Sequence, residues 1–282
     1  MHSKATARIT VMIPTRKRPE RLKRSIDSLI DNASSVDGID ILLGVDNDDD
    51  ISNKFINDVI IPELNEKGAT MMAFLFDRVG YKNLHLYANH LVQYSRGEWI
   101  LLWNDDAVMQ TKDWDLKIME YTGQFKVLRF KDNHDEHPNA IFPCVPRDWV
   151  QLFDKFSAHQ HMDCWISEIG YLTGIVQNCP EIECYHERFD LIGVEPDEVY
   201  LEREILDYDP NNPQDFTHPN QLKLKTEWAL KLHWYLGKIG QNTGWFDNWL
   251  ADPDFNIWAR LEEVDINHQY YTGNPNRKQL QQ

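Results

Sequence analysis

Trp99-Ile100-Leu101-Leu102-Trp103 is an unbroken apolar run of strand length that stops abruptly at Asn104-Asp105-Asp106. A run without polar alternation is expected of a strand covered on both faces, as in a parallel sheet packed between helices. Oxygen-bearing side chains at the carboxyl end of such a strand stand where open α/β sheets bind ligands. Two adjacent carboxylates repel each other, and burial makes the repulsion worse. A hard divalent cation that also takes phosphate oxygens removes the conflict. For these three residues in isolation the plain alternative is a polar turn, and the rest of the first half of the chain bears on the choice.

The same pattern recurs upstream. Arg8 to Ile13 reads as a strand ending at Pro14-Thr15, followed by a helix with Pro19 in its first turn and Leu22, Ile26, Leu29 and Ile30 as its apolar stripe. Ile39 to Val45 is a second strand, ending in Asp46-Asn47-Asp48-Asp49-Asp50; the next helix carries Ile51, Phe55, Val59 and Ile60, and Pro62 ends or kinks it. Thr70 to Phe76 is a third strand ending at Asp77-Arg78, and Lys82 to Arg96 a third helix with Gly97 as its C-terminal cap. The order β-α-β-α-β-α-β with right-handed crossovers gives a mostly parallel sheet flanked by helices. All four strand ends then point to one edge, which brings Thr15, Asp46, Arg78 and Asp106 together. Neither Gly-x-Gly-x-x-Gly nor Gly-x-x-x-x-Gly-Lys-Ser/Thr is present. That argues against a dinucleotide-dependent oxidoreductase and a P-loop NTPase.

Charge narrows the partners. With 29 basic against 45 acidic residues the formal net charge is −16, so the surface repels nucleic-acid backbones. The cluster Arg16, Lys17, Arg18, Arg21, Lys23 and Arg24 stands out against that background and leaves room for a local phosphate pocket. No signal peptide is visible, and no stretch approaches the roughly 20 apolar residues of a membrane span. Cys144, Cys164, Cys179 and Cys184 lack Cys-x-x-Cys spacing, so reduced thiols in a cytoplasmic protein are the expectation.

The second half is less regular. Short helices are expected over 113–121, from Pro146-Arg147-Asp148-Trp149 onward, and over 162–171, with strands over 125–130 and 182–186. From about residue 191 the chain turns polar and proline-rich, with one strong helix over 220–236 and Trp245, Trp249 and Trp258 beyond it. The expected organisation is therefore an α/β domain over 1–190 and an appended helical lobe over 191–282. The tail aromatics, Trp228 and Trp234 among them, are either an acceptor platform or the core of that lobe.

Four ordered motifs carry a resemblance. Ile13-Pro14-Thr15-Arg16-Lys17-Arg18, Gly44-Val45-Asp46-Asn47-Asp48-Asp49-Asp50, the segment Gly80 to Asn89, and Gly97 to Asp106 resemble nucleotide-sugar glycosyltransferases of the GT-A fold, nearest the family-2-like group. The resemblance is specific over 8–108, looser to about 190, and absent from the tail. It implies that Thr15 and Asp46 hold the nucleotide base, with Asp46 accepting from a uracil N–H, and that Arg78 lies beside base and ribose. It further implies that Asp105 lies near the ribose and that Asp106 ligates Mn²⁺ or Mg²⁺ as the end of a DXD motif. Arg18 and Lys82 are further candidates for nucleotide or phosphate contacts. Two departures stand out: Asn104 occupies the position where the motif usually starts with Asp, and Asp46-Asn47-Asp48-Asp49-Asp50 replaces the usual Asp-Asp-Gly-Ser-x-Asp.

The resemblance also implies a histidine as second metal ligand, for which His186 in Cys184-Tyr185-His186-Glu187 is the candidate, with a structural histidine as the alternative. His161-Met162-Asp163-Cys164-Trp165 resembles the Glu-Asp acceptor motif, with Met162 in place of Glu. Asp163 is then the general base and Trp165 stacks on an acceptor sugar; alternatively Asp163 caps a helix that buries Trp165. The expected activity is metal-dependent transfer of a hexose from a UDP-sugar to a carbohydrate or glycan acceptor. Two rivals stay open: a sugar-phosphate nucleotidyltransferase, disfavoured by the absence of glycine between Pro14 and Pro19, and a sugar-nucleotide or glycan-binding protein without turnover.

Overall fold

The computed structural model describes residues 8–133, 138–193, 215–216 and 218–244, together with Glu195, Glu198, Leu201, Glu202 and Phe246. The architecture is α/β: one sheet between two layers of helices. β1 (Ile9–Thr15), β2 (Ile39–Asp46), β3 (Thr70–Phe76) and β4 (Trp99–Leu102) follow one another with helices between them. They lie in the order β3-β2-β1-β4, all parallel. The rest of the sheet is mixed. β5 (Ala107–Met109), β6 (Val127–Lys131), β7 (Cys144–Pro146) and β8 (Val176–His186) extend it as β7-β6-β8-β5 beyond β4. β7 is antiparallel to β4 and β6, β6 is parallel to β8, and β5 is antiparallel to β8.

Side chains alternate across the parallel strands and feed two cores. Val11, Ile41, Leu43, Trp99 and Leu101 face the layer of α1 (Pro19–Asn32), where they meet Leu22, Ile26 and Leu29. Met12, Leu42, Ile100 and Leu102 face the opposite layer, built from α4 (His85–Leu91), α6 (Arg147–Phe153) and α7 (Met162–Thr173). Because both faces are covered, β2 and β4 are buried throughout and β1 nearly so, which explains the uninterrupted apolar run at 99–103.

Several boundaries differ from the sequence reading for physical reasons. The helix after β2 does not stop at Pro62: α2 (Asp50–Phe55) runs through one π-type turn, Ile56–Ile60, into α3 (Ile61–Glu66). The Ile61 N–H bonds the Ile56 carbonyl five residues back, and that widening lets the helix pass a proline that has no N–H to give. Gly97 is not a helix cap. A Cβ there would stand 2.3 Å from the Thr10 amide nitrogen, so glycine is required by the close approach of two backbones as the chain enters β4. α5 (Trp114–Met119) and α8 (Phe189–Ile192) complete the short helices.

The strong tail helix is α9 (Pro219–Lys238). Its Trp228, Ala229, Leu232 and Leu236 join the core that holds Ile166 and Ile169 of α7, and Phe153 stacks on Trp228 at 4.1 Å. Trp228 is therefore a core residue, whereas Trp234 is exposed. Trp245, Trp249 and Trp258 lie outside the described residues. Among the described residues no helix is long and apolar enough to cross a membrane.

Candidate functional site

The carboxyl ends of β1, β2 and β4 open into one cavity. Thr15, Arg18, Asp46, Arg78, Asp105 and Asp106 all line it, joined by Asp163 and His186 from the second half of the chain. Lys82 sits in the turn Tyr81–Asn83 and does not line the cavity.

The loop after β1 sorts its basic residues by backbone shape. Lys17 has φ +54°, a left-handed conformation uncommon for a side chain without a special role, and its N–H is held by Asp49 Oδ2 at 2.6 Å. The two arginines that flank it reach different carboxylates. Arg16 Nη1 lies 2.8 Å from Asp46 Oδ2 and 2.5 Å from Asp48 Oδ1. Arg18 Nη1 lies 2.9 Å from Asp105 Oδ1 and 3.4 Å from Asp106 Oδ2.

Asp46 is buried and also accepts from the Tyr87 hydroxyl. Burial first, and then this bond, push the Tyr87 phenol above its usual range, so it remains a donor at neutral pH. Each Asp46 oxygen thus already has one donor, and a carboxylate retains further lone pairs for a ligand. Asp105 is fixed by Thr15 Oγ1, which donates to Oδ2 at 2.7 Å. Burial raises the Asp105 carboxyl, with Arg18 opposing and Asp106 reinforcing the shift.

His186 reaches Asp106 through sheet register. β5 pairs with β8 so that Ala107 faces His186, which places the histidine beside the residue preceding Ala107. Its Nε2 lies 3.1 Å from Asp106 Oδ1 and 3.2 Å from Asn104 Nδ2. Asn133 holds the His186 backbone from both sides, accepting its N–H at 2.7 Å and donating to its carbonyl at 3.1 Å.

Among the described residues no group of three or more His, Cys, Asp and Glu side chains is assembled for a metal. Asp106 nevertheless suits a Mg²⁺- or Mn²⁺-like cation, because such ions are held by one or two carboxylates and fill the remaining positions from phosphate and water, and His186 stands beside it.

The acceptor side departs from expectation in one respect. Trp165 is fully buried, stacked on His159 and edge-on to Trp228, and does not line the cavity. It has no face to offer a sugar, because helical spacing turns it into the core while Asp163 faces the cavity. Asp163 is not the helix cap either. His161 holds that position, and Asp163 lies inside the first turn, where a carboxylate complements the helix dipole.

Tyr81 and Arg188, to which the sequence assigns no role, also line the cavity. Tyr81 and His161 meet at 3.4 Å between hydroxyl and Nδ1, and Arg16, Arg18, Arg78 and Arg188 put four guanidinium groups around one cavity of an acidic chain. Glu198 and Glu202 come from the polar stretch after α8. Glu198 lies 3.2 Å from Arg16 Nε, 2.6 Å from Lys17 Nζ and 3.0 Å from Arg78 Nη2, and Glu202 pairs with Arg78.

The architecture is shared with solved enzymes. A mannosyltransferase from Pyrobaculum calidifontis, in complex with GDP-Man and Mn²⁺, superposes with TM-score 0.53 at 12% sequence identity, covering 94% of this chain and 81% of that one. TarS 1-349 of S. aureus in complex with UDP gives TM-score 0.51 at 13% identity, covering 94% and 93%. The fold is that of these glycosyltransferases. Neither a protein-family model nor a curated protein matches the sequence. At this identity the likeness establishes the fold and not the activity.

Proposed function

We propose that the protein is a glycosyltransferase that moves a hexose from a UDP-sugar to a carbohydrate or glycan acceptor, with Mn²⁺ or Mg²⁺ as cofactor. The observation that carries this reading is the meeting of Thr15, Asp46, Arg78, Asp105, Asp106 and His186 in one cavity, from positions scattered between residues 15 and 186.

In this reading Asp46 accepts from the uracil N–H, held rigid by Arg16 and Tyr87, while Arg78 lies against base and ribose. Asp105, kept in place by Thr15, accepts from the ribose. Asp106 and His186 would hold the cation, which would supply Lewis-acid stabilisation to the diphosphate. Arg16 and Arg18 add positive charge where the diphosphate gains negative charge, electrostatic help of the kind that dominates transfer chemistry. Asp163 takes the proton of the acceptor hydroxyl, from a first-turn position open to the cavity. The glycosyltransferase fold supports the same conclusion by analogy.

Release of UDP from a panel of UDP-sugars, with Mn²⁺ and with chelator, tests the reading. Turnover that needs Mn²⁺ and is lost in Asp106→Ala is expected. Diphosphate release from UTP and a sugar phosphate would instead identify a nucleotidyltransferase, and UDP binding without turnover on any donor would identify a binding protein.

A further inference from the structure

Arg18 stands where a cation belongs. Its Nη1 bridges Asp105 Oδ1 at 2.9 Å and Asp106 Oδ2 at 3.4 Å, and both carboxylates are nearly completely buried. Asp106 therefore faces His186 through one oxygen and Arg18 through the other. Adjacent buried carboxylates need a positive partner in every state of the protein, because an uncompensated buried charge is strongly destabilising. The neutral Asn104 at the head of the triplet leaves two carboxylates, both reached by the Arg18 guanidinium, with the His186 imidazole hydrogen-bonded to one of them.

We propose that Arg18 is a built-in counter-ion of the cation site: it occupies the Asp105–Asp106 carboxylates in the metal-free protein, is displaced from them by a divalent cation, and then turns to the diphosphate of the donor. This rests on the nucleotide-sugar reading of the cavity. The geometry supports each part. A guanidinium and a divalent cation on the same carboxylates repel each other, so the two occupancies exclude one another. Arg18 borders the open cavity, and its long side chain springs from the first residue before α1, so it can turn without moving the helix. A guanidinium is suited to phosphate as well as carboxylate, since it presents a planar fork of donors to either. Arg16 is placed differently, because Asp46, Asp48 and Glu198 hold it away from the Asp105–Asp106 pair.

The consequence is a coupled preference: the cation binds weakly to the nucleotide-free protein and strongly when a diphosphate is there to receive Arg18. The test is a Mn²⁺ titration followed by electron paramagnetic resonance, on wild type, Arg18→Gln and Arg18→Lys, each with and without UDP. Mn²⁺ affinity of nucleotide-free Arg18→Gln is expected to rise at least tenfold over wild type, while the enhancement by UDP shrinks by a similar factor. Arg18→Lys, which keeps the charge, is expected to stay near wild type without nucleotide.

Thermal melts guard against misfolding. Arg18→Gln is expected to melt lower than wild type in chelator and to gain more from Mn²⁺, since a ligand selective for the native state raises its stability. An unchanged or weaker nucleotide-free Mn²⁺ affinity in Arg18→Gln overturns the proposal, as does an equal Mn²⁺-induced shift in melting temperature. If wild type binds Mn²⁺ in the presence of UDP and Arg18→Gln shows either of those results, only the counter-ion role falls. If wild type binds neither Mn²⁺ nor UDP, the nucleotide-sugar reading falls with it.

Discussion

Thr15 at the end of β1 donates its hydroxyl to Asp105 at the end of β4, a buried bond of 2.7 Å between residues ninety positions apart. It joins two neighbouring strand ends at the point where one presents a hydroxyl and the other a carboxylate. Thr15→Val keeps the shape and removes the donor, leaving Asp105 less satisfied in a buried place. A loss of about 1–3 kcal/mol in urea denaturation is expected, with weaker UDP binding. Thr15→Ser is expected to restore both.

Lys225 and Glu168 tie α9 to α7 through a completely buried ion pair of 2.6 Å. Lys225 Nζ also lies over the Phe216 ring at 3.7 Å from its centre, and Phe216 packs edge-on against His159 and His161 beside the cavity. Removing one charge strands the other. Lys225→Met is expected to cost about 3–5 kcal/mol in denaturant unfolding, and the double variant Glu168→Gln/Lys225→Met less than that. Equal losses in the single and double variants would contradict the pairing.

Three of the four cysteines are buried, and burial pushes the Cys144 and Cys184 thiols well above their usual range and Cys179 up to about 11. The thiolate is the reactive form, so these three are expected to be inert under native conditions. Cys164 is partly exposed and borders the cavity. An aromatic disulfide reagent is expected to titrate one thiol in the native protein and all four in denaturant. UDP with Mn²⁺ is expected to slow the native reaction, and Cys164→Ser to abolish it.

Glu198 is held below the usual carboxylate range, at about 2, by Lys17 first, then Arg78 and Arg16. A carboxylate with a depressed folded-state value stabilises the fold above its unfolded value, here 4.5, and loses that contribution as pH falls toward 2. The side chain is 40% exposed, so solvent screening limits the contribution to roughly 1 kcal/mol or less. The stability difference between wild type and Glu198→Gln is expected to be constant from pH 8 to 5 and to shrink below about 4.5. A difference that grows on acidification would contradict the assignment.

The first half of the fold was legible because apolar runs of strand length ended in polar turns. The expected β3 coincides with Thr70–Phe76, and the ends of β1 and β2 fell within two residues of those expected. β5 and β7 were not legible. Three residues show no periodicity, and each strand exists because a partner strand lies alongside it. That omission bears on function, since β5 is what brings His186 to Asp106. The carboxylate partners of Arg16 and Arg18 were hidden for another reason: between them the backbone is left-handed at Lys17, which no pattern of residue types encodes. Tyr87 carried no signal in the sequence, and only its hydroxyl bond to Asp46 gives it a place in the site. Glu198 and Glu202 lie more than a hundred residues from the arginines they meet, in a polar stretch without periodicity.

A crystal structure with UDP and Mn²⁺, the metal located by its anomalous signal, is the most direct measurement. Mn²⁺ bonded to Asp106 and to the diphosphate, with the uridine between Thr15, Asp46 and Arg78, is the expected result. UDP bound elsewhere on the protein, or Mn²⁺ on the diphosphate without a bond to Asp106, would contradict it.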